Sequence, residues 1–95
     1  MLTSIQESKL DIIDGALSDL GLYDYCLQVN TDRWTINIYE KNKPVFMFEY
    51  MNMNDFNMAL TRLIIFLDGL SIADYIIDKK KVFGDFVNSV MYSFR

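Results

Sequence analysis

The sequence has no histidine, one cysteine, one proline and four glycines. Each shortage removes a class of function. Without imidazole there is no Ser–His or Cys–His nucleophile, no two-histidine iron centre and no ordinary zinc site. Cys26 cannot close a disulfide within the chain, so a reducing compartment such as the cytoplasm is expected. Its alternating neighbours read as a strand, and the thiol is a plain strand residue. The longest apolar run is Leu63–Leu67, against the ~20 residues a membrane-spanning helix needs. The opening Met-Leu-Thr-Ser-Ile-Gln-Glu lacks the basic start and apolar stretch of a secretory signal. The closing Met-Tyr-Ser-Phe-Arg matches no prenylation or retention signal. A glycine-rich phosphate loop, a GxGxxG turn and a Walker lysine are all missing.

Hydrophobic residues make up 52% of the 95 and aromatic residues 15%. That is too apolar for a disordered chain, and enough for a core without metal or disulfide. A chain of this length buries roughly 65% of its extended surface. One compact domain over residues 1–95 is expected.

Thirteen acids against nine bases give a net charge of −4. Residues 1–40 hold seven of the acids and only Lys9 and Arg33 among the bases. Such a surface repels phosphate backbones and suits a basic protein partner. Generic nucleic-acid binding is not expected, and neither is membrane binding.

Thr3 with Gln6, or Ser4 with Glu7, can form a capping box. Ile5, Ile12, Ile13, Ala16, Leu17 and Leu20 then recur at helical spacing, and Gly21 supplies the left-handed stop. This predicts a helix over 4–20, weakened at Gly15. The period then drops to two. Tyr23, Tyr25, Leu27 and Val29 alternate with polar residues, and so do Trp34, Ile36 and Ile38. Asn30-Thr31-Asp32 and Lys41-Asn42-Lys43-Pro44 are turns. Val45–Met51 is a third strand, with Phe46, Phe48 and Tyr50 on its core face. Short turns between consecutive strands predict an antiparallel meander.

Asn52 or Asn54 can cap the next helix, whose stripe is Phe56, Leu60, Leu63, Ile64 and Leu67, with Gly69 as its stop. Ser71 and Asp74 repeat the capping pattern ahead of Ile72, Tyr75 and Ile76. Lys79-Lys80-Lys81 reads as a solvated helix end that offsets the negative C-terminal dipole. From Val82 to Phe94 the apolar residues return every four positions. The region 72–94 is either one helix or two broken near the lysines. The expected class is α+β: an N-terminal helix, a three-stranded antiparallel β-meander, then two or three C-terminal helices packed on one sheet face.

No catalytic constellation emerges, so no enzyme, cofactor or metal is expected. Asn52-Met53-Asn54-Asp55-Phe56-Asn57 lacks the glycine and the terminal glutamate of a calcium loop. Glu7, Asp11 and Asp14 are spaced to share one flank of the first helix, where they can recognise arginine or lysine on a partner. The open sheet face offers Tyr39 among small polar residues and methionine. Glu7, Asp11, Asp14 and Tyr39 are the expected partner contacts. The edge strands, or the apolar C-terminal helix, could instead join two copies into a homodimer or larger assembly. The abundant aromatics leave room for a small apolar ligand between sheet and helices.

No motif assigns the chain to a family. In size and composition (short, acidic, rich in Asn, Ile, Tyr and Phe) it resembles small phage or mobile-element proteins, and it is similar in type to toxin-immunity proteins. That resemblance implies a non-enzymatic inhibitor that occludes a host protein such as a nuclease or a defence complex.

Overall fold

In the computed structural model the polypeptide is described for residues 1–73 and 78–90, with side chains as far as Ser89. Helix α1 (Ser4–Asp19) is followed by β1 (Tyr25–Asn30), β2 (Thr35–Glu40) and β3 (Lys43–Glu49), then α2 (Met53–Ile72) and α3 (Lys79–Val90). The strands form one antiparallel sheet in the order β1-β2-β3. The α+β class and the meander are as the sequence predicts.

Both ends of α1 are locally encoded. The Thr3 hydroxyl accepts from the Gln6 amide at 3.1 Å, and the Thr3 amide donates to the Gln6 side chain at 3.0 Å. At the other end Gly21 has φ +76°. Its N–H reaches the Ser18 carbonyl while the Leu22 N–H reaches that of Leu17, the paired bonds of a Schellman stop. Ile13 and Leu17 enter the core, flanked by Leu10, Ala16 and Leu20. Ile5 and Ile12, expected on that face, are exposed instead. Gln6 is buried in their place, because its amide both closes the cap and donates to Asn57 of α2 at 2.8 Å.

The turns are tighter than their composition suggests. Lys41 and Asn42 have φ of +52° and +67°, the two left-handed residues of a type I′ hairpin. Lys43 and Pro44 therefore belong to β3, opposite Glu40 and Tyr39. Proline is tolerated there because β3 is an edge. The register shift between Ile38 and Tyr39 leaves Val45 unpaired as a bulge. Trp34 lies in the β1–β2 loop with φ +52° rather than in β2. Its carbonyl accepts from Tyr50 at 2.9 Å, and its ring packs 5.4 Å from Phe56. Tyr23 precedes β1 and is exposed.

The core is the inner sheet face against three helices. Ile36, Ile38 and Phe48 meet Ile13 and Leu17 of α1, Phe56, Leu60, Leu63 and Leu67 of α2, and Phe83 and Val87 of α3. Asn52 caps α2 by accepting from Asp55 at 2.9 Å. Gly69 does not stop α2, which runs on to Ile72. With no left-handed turn imposed on it, Gly69 costs the helix only propensity. Ser71 is not a cap either, since its hydroxyl donates to the Asp68 carbonyl inside α2. Asp74, Tyr75, Ile76, Met91 and Phe94 lie outside the described residues. The lysine triplet opens α3 instead of closing a helix. Asp78 accepts from the Lys81 amide at 3.0 Å there.

Contacts fix the direction of the helices. Gln6 meets Asn57 and Lys9 meets Thr61, so α1 and α2 run side by side in the same direction. Four reversals separate α1 from α2 (into β1, β2, β3 and α2), an even number, which returns the chain to its starting direction.

Candidate functional site

Glu7, Asp11 and Asp14 are all exposed on α1, at i, i+4 and i+7. Their helical angles place Glu7 and Asp14 on one flank, with Asp11 closer to the outermost line of the helix. Among the described residues none of the three pairs with a cation. Partial burial, and then repulsion from Asp11, push the Asp14 carboxyl above its ordinary range.

Four other acids are matched. Glu40 and Asp24 both take Lys80, the latter at 3.6 Å. Glu49 takes Arg33 at 3.2 Å, and Asp85 takes Lys81 at 3.1 Å. The Lys80 ammonium is pushed above its ordinary range first by its hydrogen bond to Glu40, and it stands 5.9 Å from the centre of the Tyr25 ring. The Tyr25 hydroxyl is raised by burial first and by Glu40 second. Its ring meets Phe83 edge-on at 5.0 Å.

Tyr39 does not join the acidic residues. It follows the fully buried Ile38 on β2, so it points to the side of the sheet away from α1. Its row is Cys26–Tyr39–Pro44, beside Gln28–Asn37–Met47 and Asn30–Thr35–Glu49. The four expected contacts thus belong to two surfaces on opposite sides of the sheet. Of the edge strands, β3 is broken up by Pro44 and the bulge, whereas β1 is uninterrupted.

The asparagines of the 52–57 segment serve folding: Asn52 is a cap and Asn57 accepts from Gln6. Among the described residues no three of His, Cys, Asp or Glu cluster within reach of one metal ion. No helix there is long and apolar enough to cross a membrane. Aromatic rings pack on one another beside the core, Trp34 on Phe56 and Tyr25 on Phe83. The stacked pair Phe66 and Phe86, with centroids 4.0 Å apart, borders an open groove between α2 and α3.

A further surface was not anticipated. On the outer side of the helical layer Ile5, Ile12, Ile65 and Ile72 are exposed by 67%, 53%, 66% and 78%. A signal for it stands in the sequence: Ile5 and Ile12 are seven apart, and so are Met58, Ile65 and Ile72. Two shallow grooves flank Ile65. One is the groove that Phe66 and Phe86 border, lined also by Lys9, Thr61 and Arg62; the other is lined by Asp11, Asp19 and Asp68. In comparisons with known proteins, no protein family, curated protein or solved structure matches the chain.

Proposed function

We propose that this chain is a non-enzymatic protein-binding domain that docks on a basic partner through the acidic flank of α1. The carrying observation is the uneven distribution of counter-charge. Lys80 and Arg33 pair with acids in and beside the sheet and Lys81 with Asp85 of α3, while among the described residues Glu7, Asp11 and Asp14 pair with no cation. Carboxylates left in this state attract arginine and lysine at long range and speed encounter with a positive surface. Three acids on a rigid helix lose little freedom on binding.

The mode of action we favour is stoichiometric occlusion of the partner's working surface in a reducing compartment such as the cytoplasm. Chain size and composition fit a phage or mobile-element inhibitor of a host nuclease or defence complex, and fit a toxin-immunity protein next. Tyr39 marks the open sheet face as a second place for contact.

The test is affinity capture from lysate of the source cell with two baits, the wild type and the triple variant Glu7→Lys, Asp11→Lys, Asp14→Lys. Wild type should retain one protein at near-stoichiometric yield, and the retention should weaken with added salt. The triple variant should lose it while keeping its circular dichroism spectrum. Equal capture by both baits would remove α1 as the docking element.

A further inference from the structure

We propose that the basic partner enters as an extended segment that adds a fourth strand to the free edge of β1; this rests on the acidic docking proposed above and gives the partner its form. The two edges of the sheet are built differently. β3 carries Lys43, Pro44 and Glu49, and its ladder is interrupted by the register shift between Ile38 and Tyr39. Charge, proline and a bulge are the devices that keep an edge strand from pairing. β1, Tyr-Cys-Leu-Gln-Val-Asn, has none of them and pairs with β2 without a break.

The backbone of β1 shows which of its groups are open. The Lys41 N–H donates to the Asp24 carbonyl at 2.9 Å, one step beyond the Tyr25–Glu40 pair. Residues of an antiparallel strand turn their N–H and C=O alternately to one side and the other. Cys26, Gln28 and Asn30 therefore bond to β2, while Tyr25, Leu27 and Val29 turn outward. The Tyr25 N–H agrees, since it donates to the Leu22 carbonyl at 3.2 Å. Among the described residues no backbone group outside the ladder bonds to Leu27 or Val29. Each presents one donor and one acceptor to the edge, at the spacing an added strand matches.

The surroundings select the chemistry of that strand. α1 lies along β1 in the opposite direction. The Met1 ammonium donates to Thr31 at 2.8 Å, just past the end of β1, and the Gly21 stop leads back to its start. α2, which follows β3, stands on the side of α1 that carries Gln6 and Lys9. At about 3.6 residues per turn, Glu7 and Asp14 are roughly 160° and 140° round the helix from Lys9. The acidic flank thus faces away from α2, on the side of the β1 edge. Leu27 and Val29 pack against the core yet are only half-buried. Side chains of an added strand that stand beside them point to the same face of the sheet. An arginine or lysine there lays its apolar stem over the two edge residues and lifts its charge toward the carboxylates. An acidic strand fails at the flank, and a wholly apolar one leaves the carboxylates unanswered. A second copy's β1 brings no charge at all, and its own α1 would set acid against acid.

The test uses two end-capped synthetic nonapeptides, one alternating arginine with valine and one alternating glutamate with valine. Each is added to the full chain at up to about 1 mM. Amide hydrogen exchange followed by NMR reads the edge of the wild type directly. The arginine peptide should slow exchange at Leu27 and Val29 by at least about tenfold and leave Gln28 and Asn30, already in the ladder, unchanged. Val29→Pro removes an N–H that faces outward. It should keep the circular dichroism spectrum while weakening the peptide by about tenfold, the weight of one or two backbone bonds. The triple variant Glu7→Lys, Asp11→Lys, Asp14→Lys should also weaken it, and the glutamate peptide should not bind.

Binding that the triple variant abolishes, but that leaves Leu27 and Val29 unprotected, would overturn strand addition while the acidic flank stands as the docking element. Protection given equally by both peptides, or unchanged in the triple variant, would overturn the basic chemistry and the docking reading with it. No protection at the highest peptide concentration would overturn strand addition alone when the peptide still binds. Protection that grows with protein concentration in the absence of peptide would assign the edge to a second copy and overturn the proposal.

Discussion

Helices α1 and α3 begin in opposite ways. The start of α1 follows the local rules, with a reciprocal Thr3–Gln6 box and Glu7 in the first turn, where the dipole favours an acid. Three lysines open α3, and its first turn contains no acid. That charge is of the wrong sign for the positive end of a helix. What holds α3 there comes from elsewhere in the fold: Glu40 and Asp24 take Lys80, Asp78 takes the Lys81 amide, and Phe83 and Val87 are fully buried. One helix is specified by its own termini as well as its packing, the other chiefly by what it packs against.

The strongest way to break that contrast is Phe83→Ala. Removing a fully buried ring that also meets Tyr25 edge-on should cost about 3–5 kcal/mol. Urea denaturation gives the number, and the loss should exceed that from any cap in the molecule. Thr3→Ala should cost about 1 kcal/mol, the ordinary value of an N-cap. A loss nearer 3 kcal/mol would show that Thr3 also supports the buried Gln6–Asn57 bond, and α1 would then depend on tertiary contact as α3 does.

The mid-helix glycines sharpen the comparison. Neither Gly15 nor Gly84 has anything within 4 Å of an added Cβ. Alanine at either should therefore stabilise by up to about 1 kcal/mol through helix propensity. Thermal melts of the two variants check this.

The same contrast explains what the sequence reveals. The cap and stop of α1, the number and order of the strands and the inward Phe46, Phe48 and Tyr50 depend on neighbours within a few residues and follow the pattern, although β3 runs from Lys43 to Glu49 and leaves Tyr50 and Met51, expected in it, beyond its end. Trp34 alternates correctly for a strand yet sits in a loop, because its ring and carbonyl answer to Phe56 and Tyr50. Gly69 has the composition of a stop, but nothing next to it forms the paired bonds that Gly21 has, so α2 continues. The lysines look locally like a C-terminal end because dipole compensation is a local rule, whereas the acids that neutralise Lys80 lie in other elements. The acidic positions of α1 were legible for the same reason that its cap was. Nothing in the sequence shows that the sheet separates Tyr39 from them. Ile5 and Ile12 have the helical spacing of core residues yet are exposed. Spacing identifies an apolar face without telling whether the chain itself covers it.

The smallest expected effects lie in the pH dependence, which also divides the two helices. Burial and Asp11 raise the Asp14 pKa, so the fold favours its protonated form. Its contribution to stability is full below the ordinary carboxylate range and is lost as pH rises through the raised value. At neutral pH the charge is a small liability, and Asp14→Asn should raise the melting temperature slightly there and lose that advantage in acid. At α3 the bond to Glu40 raises Lys80, and burial raises Tyr25. For both, the fold favours the protonated form, so their contribution persists through neutrality and disappears as pH climbs through their raised values. Lys80→Met and Tyr25→Phe should flatten the alkaline limb of a melting-temperature profile without altering the acid limb, while Asp14→Asn should steepen the acid limb and leave the alkaline limb unchanged. An alkaline limb unchanged by both α3-contact variants would mean that the lysines merely accompany α3, and that Phe83 and Val87 alone fix where it starts.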